Sequence, residues 1–360
     1  MSGLVISGCG VLSPAGLGLA PLADSLADAA DDRSTPGAGT TPPANPGALA
    51  DFDVRLHLGR KGTSFLDRAT ALTLVACSQA LEDSGLRVDD DNRHRVGVTV
   101  GTTVGSLRSM SDYTRETLVE ERPYLVNPAL FPNTVMNCAA GQSAIRYGLR
   151  GINATIAGGR AAFLSVLRYA ASAVSRGYAD AMLVGAVEEL SPHRAWATHL
   201  SEPPGVVAGE GAAVFVLEGA DAARGAGRHV DAEVLAVTAG FGAGGRVEEA
   251  LRGCVRRALA RTDVDTGLVT LVTAGRPRDA VVVEAARALG VAAVERVPVA
   301  SVLGECHAAS CALEVAALLA LHRDEPARDG RVSLVAGITP EGGAVTALLR
   351  GFSRVGADHQ

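Results

Sequence analysis

Strands and helices alternate along nearly the whole chain, which predicts an α/β protein with two covered sheets. Two further observations support that class. The apolar-leaning run Ile152 to Ala157 passes through Gly158-Gly159 into an Ala-rich helical pattern of Ala161, Leu164, Val166, Leu167 and Ala170. The second half of the chain then repeats the order of elements found in the first, with the break near residues 220–227.

Leu4 to Ser7 reads as the first strand, ending at a Gly8-Cys9-Gly10 turn, and an Ala/Leu helix runs from about Pro21 to Ala30. Residues 31–50 are dense in Pro, Gly and Thr, so they predict a solvated connector. Phe65 to Gly85 has helical spacing and a glycine stop. Arg95 to Thr102 is a strand that enters the small-residue turn Thr102 to Gly105. Asn127 to Asn137 is a loop, and Ala139 to Leu149 a helix. The central helix begins at Arg160 and reaches Ser175, and strands follow at Ala181 to Val187 and Gly209 to Glu218. In the second half the strands are Ala232 to Ala239 and Leu268 to Thr273, and the helices Val247 to Ala260, Asp279 to Leu289 and Cys306 to Leu321. Val332 to Ile338 and Ala344 to Leu349 close the chain as an antiparallel pair.

With 360 residues and 48% hydrophobic content, the chain is large enough for an extensive core. A formal charge of -6 argues against nucleic acid or an anionic membrane surface as partner. No apolar run reaches the roughly 20 residues of a membrane span. The start, MSGLVISGCGVLSP, lacks a basic leader. A cytoplasmic protein with six buried free cysteines is the expectation.

The strand–Gly-Gly–helix elbow would put the first helical side chain at the positive end of a helix dipole. Folds use that place for a nucleophile, because the field lowers a thiol pKa. Arg160 stands there instead, already charged and unable to attack.

The motifs together are recognisable. VISGCGVLSPAG, ALEDSGL (Ala80 to Leu86) and the GT-x-x-G turn at Gly101 to Gly105 resemble the β-ketoacyl synthases of the thiolase superfamily. So do FPNTVMN-x-AAGQ with YGLRG (Phe131 to Gly151), GYADAMLVGAVE (Gly177 to Glu188), GEGAAVFVLE (Gly209 to Glu218) and EGGAVTALL (Glu341 to Leu349). The resemblance covers nearly the whole chain. It implies a thiolase fold: two similar βαβαβ-type halves, residues 1–225 and 226–360, in one five-layered α-β-α-β-α unit.

The resemblance also locates the family's working residues. These are a cysteine in the elbow, two histidines, and a lysine five residues before the second histidine. Here the cysteine position is Arg160, the first histidine position Gly275, the second Glu305 and the lysine position Ala300. No acyl-enzyme can form on a guanidinium. Neither Gly275 nor Glu305 can stabilise an enolate as paired histidines would, and a carboxylate would repel it. The chain also looks abbreviated between Glu188 and Gly209 and after Phe241, where relatives shape an acyl pocket.

The implied function is a non-condensing subunit similar to the chain length factors of type II polyketide synthases. It would partner a catalytic ketosynthase as a heterodimer, or itself as a homodimer, through the strand Ile152 to Ala157. Acyl carrier protein would be met through the complex, and no cofactor is implied. An enzyme with new chemistry in the old cavity (acyltransferase, hydrolase or isomerase) and a stand-alone homodimeric scaffold remain open alternatives.

Arg160, Glu305, Cys306 and His307 are expected to line that former cavity. A lone charge there would meet a desolvation penalty of several kcal/mol, so an Arg160–Glu305 salt bridge is predicted. Glu305, Cys306, His307 and Cys311 are crowded, but on one helix they would not converge on a metal. Gly240 to Gly245 matches GxGxxG, with Asp263 or Asp265 as acidic partner; a flexible turn is the better account. His193, Trp196 and His199 lie in the abbreviated segment and are expected at a surface or partner contact.

Overall fold

The computed structural model describes residues 3–31, 47–274, 276 and 278–355. Its strands are β1 Leu4–Ser13, β2 Gly16–Leu17, β3 Val96–Thr102, β4 Asn153–Ala157, β5 Ala181–Glu188, β6 Gly211–Gly219, β7 Ala232–Phe241, β8 Val269–Thr273, β9 Ala293–Arg296, β10 Val332–Ile338 and β11 Gly343–Gly351. Its helices are α1 Leu19–Asp31, α2 Val54–Leu58, α3 Arg68–Ser84, α4 Leu107–Val119, α5 Cys138–Tyr147, α6 Ala162–Ser175, α7 Pro192–Ser201, α8 Ala220–Gly225, α9 Val247–Leu259, α10 Asp279–Arg287, α11 Val299–Leu303 and α12 Ser310–Arg323.

The strand order is β4-β3-β5-β6-β1-β7-β11-β10-β8-β9, with β2 added to β1. The second five strands repeat the first five. β3 lies parallel between β4 and β5, as β8 does between β9 and β10; β5-β6-β1 and β10-β11-β7 are antiparallel in the same sequence. Among the described residues the two groups are hydrogen-bonded to one another where Leu4 to Ile6 of β1 meet Ala232 to Val234 of β7. Each carries its own outer helices, α3 and α5 on one and α9 and α10 on the other. Between them lie α6 and α12, whose side chains share one core with inward residues of both sheets. Five layers result, α-β-α-β-α.

Physical chemistry accounts for the central layer. α12 is buried almost all round, from Ser310 to Ala320, as a helix between two sheets must be. Burying Leu313, Leu318 and Leu319 contributes roughly 1.5–3 kcal/mol each. On the outside, α3 starts on Asp67, whose carboxylate accepts the Thr70 N–H, and stops at Gly85 in the left-handed region.

Several expectations are corrected. Gly8-Cys9-Gly10 is not a turn: β1 runs straight through it to Ser13. The glycines are there because α3 presses on the strand, and a Cβ at Gly10 would lie 2.0 Å from the Ala76 carbonyl oxygen. The central helix starts at Ala162, not Arg160, because Gly159–Ala161 form a 3₁₀ turn. The last long helix starts at Ser310 for the same reason, after a 3₁₀ turn at His307–Ala309. The connector at 31–50 lies mostly outside the described residues, but its end is docked: Gly47 bridges Gly209 and Leu49 is buried. Gly240 belongs to β7, an antiparallel strand, and Gly242 is needed because a Cβ would sit 2.0 Å from the Arg246 carbonyl oxygen. That is close packing of the β7–α9 connection, not a phosphate cradle after a parallel strand. Helices α4 and α7 have no counterpart among the sequence-based elements.

Candidate functional site at the two elbows

Each central helix is entered through a 3₁₀ elbow, and the two elbows face one another. In the first, Gly159 takes φ +49°, which lets the chain leave β4 and set Arg160 in the turn. In the second, Gly304 takes φ +77° where a Cβ would meet the Val207 carbonyl oxygen at 2.9 Å. Glu305 is then locked by its backbone. Its N–H donates to Val207 O at 2.7 Å, and its carbonyl accepts from Gly209 N at 2.9 Å.

The Arg160–Glu305 salt bridge is present. Arg160 Nη2 and Nε lie 2.7 and 3.1 Å from Glu305 Oε2, with the two residues only 9% and 4% exposed. The other carboxylate oxygen accepts the His307 N–H at 2.8 Å and the Ser310 hydroxyl at 3.1 Å. The pair belongs to a longer series. Arg160 Nη2 is also 2.9 Å from Glu202 Oε2, which is 4.0 Å from Arg278 Nη2. Arg276 Nε is 3.6 Å from Glu305 Oε2, and its Nη2 contacts Glu314. Arg278, Glu202, Arg160, Glu305, Arg276 and Glu314 thus alternate in sign from the rim to the core.

The charges set the ionisation of the members. Burial alone would raise the Glu305 pKa, but Arg276 and Arg160 hold it at about 2. Glu314 is pushed up to about 7 by burial, although Arg276 touches it, because Asp279 and Glu305 add like charge. Burial lowers the His307 pKa against the opposing pull of Glu305 and Glu188. That ring stands 2.8 Å from the Thr198 hydroxyl, and His307 holds the strained φ of +37°. Beside it, Glu188 accepts the Thr103 hydroxyl at 2.5 Å and pairs with Arg194 at 2.7 Å.

Among the family positions, Arg160 and Glu305 therefore meet. Gly275 lies outside the described residues, and Ala300 sits on α11 with its N–H 3.4 Å from Ala274 O. Cys306 is buried with its thiol toward the Glu210 and Leu303 carbonyls, and burial raises its pKa well above normal. Glu305, Cys306, His307 and Cys311 do not share a helix. Their side chains turn to Arg160, Glu210, Thr198 and Ala336 respectively.

Sequence reasoning missed Glu202, Arg276 and Glu314. His193, Trp196 and His199 are exposed, as expected of a surface position, and Trp196 stacks edge-on with His199, whereas Arg194 and Thr198 of α7 and Glu202 just beyond it point inward. Those three are spaced by four residues, which is a readable helical stripe. Glu314 had a signal too, as a single carboxylate inside the all-apolar run of α12.

Residues 2–223 match the N-terminal domain of the β-ketoacyl synthases. The chain belongs to the β-ketoacyl synthase family. It is 33% identical to a chain of the structure entitled "The ishigamide ketosynthase/chain length factor", over 97% of this chain and 99% of that one, with a TM-score of 0.82. A type II PKS ketosynthase solved with its acyl-carrier protein (AntDE:AntF) shares the fold at TM-score 0.80 and 17% identity, over 98% and 100% of the two chains. The 3-oxoacyl-[acyl-carrier-protein] synthase 2 of Vibrio cholerae is 32% identical over 219 residues, 55% of this chain and 52% of that protein. That of Coxiella burnetii is 29% identical over 266 residues, 67% and 63%. The chain spans about half the length of most curated relatives it matches. Among the described residues no helix is long and apolar enough to cross a membrane.

Proposed function

We propose that this ketosynthase-like chain is a non-condensing subunit, similar to a chain length factor, that pairs with a catalytic ketosynthase in type II polyketide or fatty-acid-like biosynthesis. The observation that carries the reading is the salt bridge between Arg160 and Glu305. Condensation needs a thiolate to take the acyl group and neutral donors to hold the developing oxyanion. At the elbow stands a buried guanidinium whose donors are already given to carboxylates. The nearby thiol of Cys306 is kept protonated by burial, so it is a poor nucleophile.

Association through β4 fits this role. β4 ends the sheet order, and among the described residues it is paired with β3 on one side only, so its other edge offers free backbone groups. Ile145 stands exposed on α5, which packs on β4, and Phe131 and Met136 are exposed just before it in sequence. Likeness to a ketosynthase/chain length factor supports the same partner class. A carrier protein would then be met by the pair.

One observation favours a second reading, an enzyme with new chemistry: the hydroxyl–imidazole pair of Thr198 and His307. Thr198 is 1% exposed, and a hydroxyl so enclosed is not presented to a substrate.

The test is co-expression with a catalytic ketosynthase, together with intact mass spectrometry of this chain after exposure to acyl thioesters. Stable co-purification and an unmodified mass are expected. Failure to co-purify, a covalent acyl adduct, or turnover by the purified chain alone would overturn the proposal.

A further inference from the structure

The C-terminal half of α6 borders a cavity of about 380 Å³. Its floor is β7 from Val234 to Ala239, and its walls are α6 and the end of α9. It exists because β1 covers β7 only as far as Val234, so Leu235 to Ala239 have β11 on one side and no strand on the other among the described residues. Three arginines reach this hollow, namely Arg168 from α6, Arg257 from α9 and Arg261 just beyond it. Ser172 and Ser175 add hydroxyls from the next turns of α6.

The residues that line the hollow include these three guanidiniums and no carboxylate. Arg257 is braced, donating to the Ala239 carbonyl at 2.9 Å, with Cys254 Sγ at 3.3 Å. Among the described residues no carboxylate lies within salt-bridge distance of these three, although the chain carries a formal charge of -6 and many of its other arginines are so paired. Gathering three guanidiniums around one concavity costs mutual repulsion, which a bound anion relieves. Guanidinium forks match carboxylate and phosphate oxygens in pairs. The volume lies within the range of small-molecule sites, roughly 300–1,000 Å³.

We propose that this groove binds a small polyanionic metabolite, one that carries at least two phosphate or carboxylate groups. Two acid groups a few ångströms apart would bridge Arg168 on one wall and Arg257 with Arg261 on the other, while Ser172 and Ser175 donate to the remaining oxygens. Nothing in this inference depends on the helper-subunit reading, because the groove is built by the opposite half of α6.

Isothermal titration calorimetry of the full chain, in the complex if it purifies as one, tests it with inorganic pyrophosphate and with citrate as probes. Saturable binding of one anion per chain is expected, weakened roughly tenfold or more by Arg168→Ala or Arg261→Ala. Preference for pyrophosphate assigns a phosphorylated ligand, and preference for citrate a polycarboxylate. Absence of saturable binding by either probe up to about 10 mM, a range that already covers a weak Kd, overturns the proposal. Binding that both substitutions leave unchanged does so too. Both arginines are exposed, so the thermal midpoint of each variant serves as the folding control.

Discussion

The two ends of α6 handle charge in opposite ways. Before its first turn, Arg160 is buried and bonded to two carboxylates, in a series where every arginine faces an acid. Near its middle, Arg168 is exposed and shares a hollow with two more arginines and no carboxylate among the lining residues. Desolvation explains the difference. A charge taken from water must be answered inside the protein, whereas an exposed one is answered by solvent or by a ligand. The first end is consequently fixed structure and the second is free to exchange anions. This also bears on function. A ligand placed between Arg160 and Glu305 would have to break their ion pair, while the groove takes an anion without disturbing the fold.

The largest effect should come from breaking the series at its centre. Glu305→Ala takes from Arg160 the carboxylate it shares beside Glu202 and from Arg276 the one beside Glu314, and it strips the His307 N–H and the Ser310 hydroxyl of their acceptor. Removing one partner of a buried pair costs about 3–5 kcal/mol. Urea unfolding of the variant should show that loss; a change under about 1 kcal/mol, the scale of an exposed pair, would mean the site is wet. Glu305→Gln keeps an acceptor and should lose less.

A smaller effect is expected from pH, because the two carboxylates on Arg276 are shifted in opposite directions. Glu314 has a folded pKa raised from 4.5 to about 7. Its contribution is therefore complete below about pH 4.5 and is lost as pH rises through about 7. Glu305 is lowered to about 2, so its contribution is present above about 4.5 and is lost as pH falls toward 2. Urea midpoints measured from pH 5 to 8 should fall for the wild type, and Glu314→Gln should flatten part of that fall. Parallel curves for the two proteins would show that Glu314 does not titrate in this window.

The same contrast explains what was legible in the sequence. Periodicity exposes elements whose apolar residues repeat, so the strands other than the short β2 and β9, and the buried helices α3, α6 and α12, were readable. α4 was not, since its residues are mostly polar and none is buried. The Arg160–Glu305 pair followed from desolvation once the two positions were known to face each other. Its neighbours were harder. Glu202 and Arg276 come from segments between elements, and no spacing rule ties them to Arg160 across the fold. The groove was invisible for a related reason: it arises where β1 stops covering β7, which is a property of register. Gly8 and Gly10 misled because a glycine for close approach and a glycine for a turn look alike in one dimension.

The smallest effect sharpens the comparison most. Arg168→Gln keeps part of the aliphatic stem while removing one of three like charges. Away from partners, a surface change is worth within about 0.5 kcal/mol, and relief of repulsion makes its sign stabilising. Exposed charges are screened over about 10 Å at 0.1 M salt and about 3 Å at 1 M, so the gain should vanish by 1 M sodium chloride. Glu305→Ala, acting on buried charges, should cost nearly the same at both salt concentrations. Urea midpoints of the two variants at low and high salt check this directly. Equal salt dependence at both ends would mean that burial does not divide them, and the reading of one end as fixed and the other as open would fail.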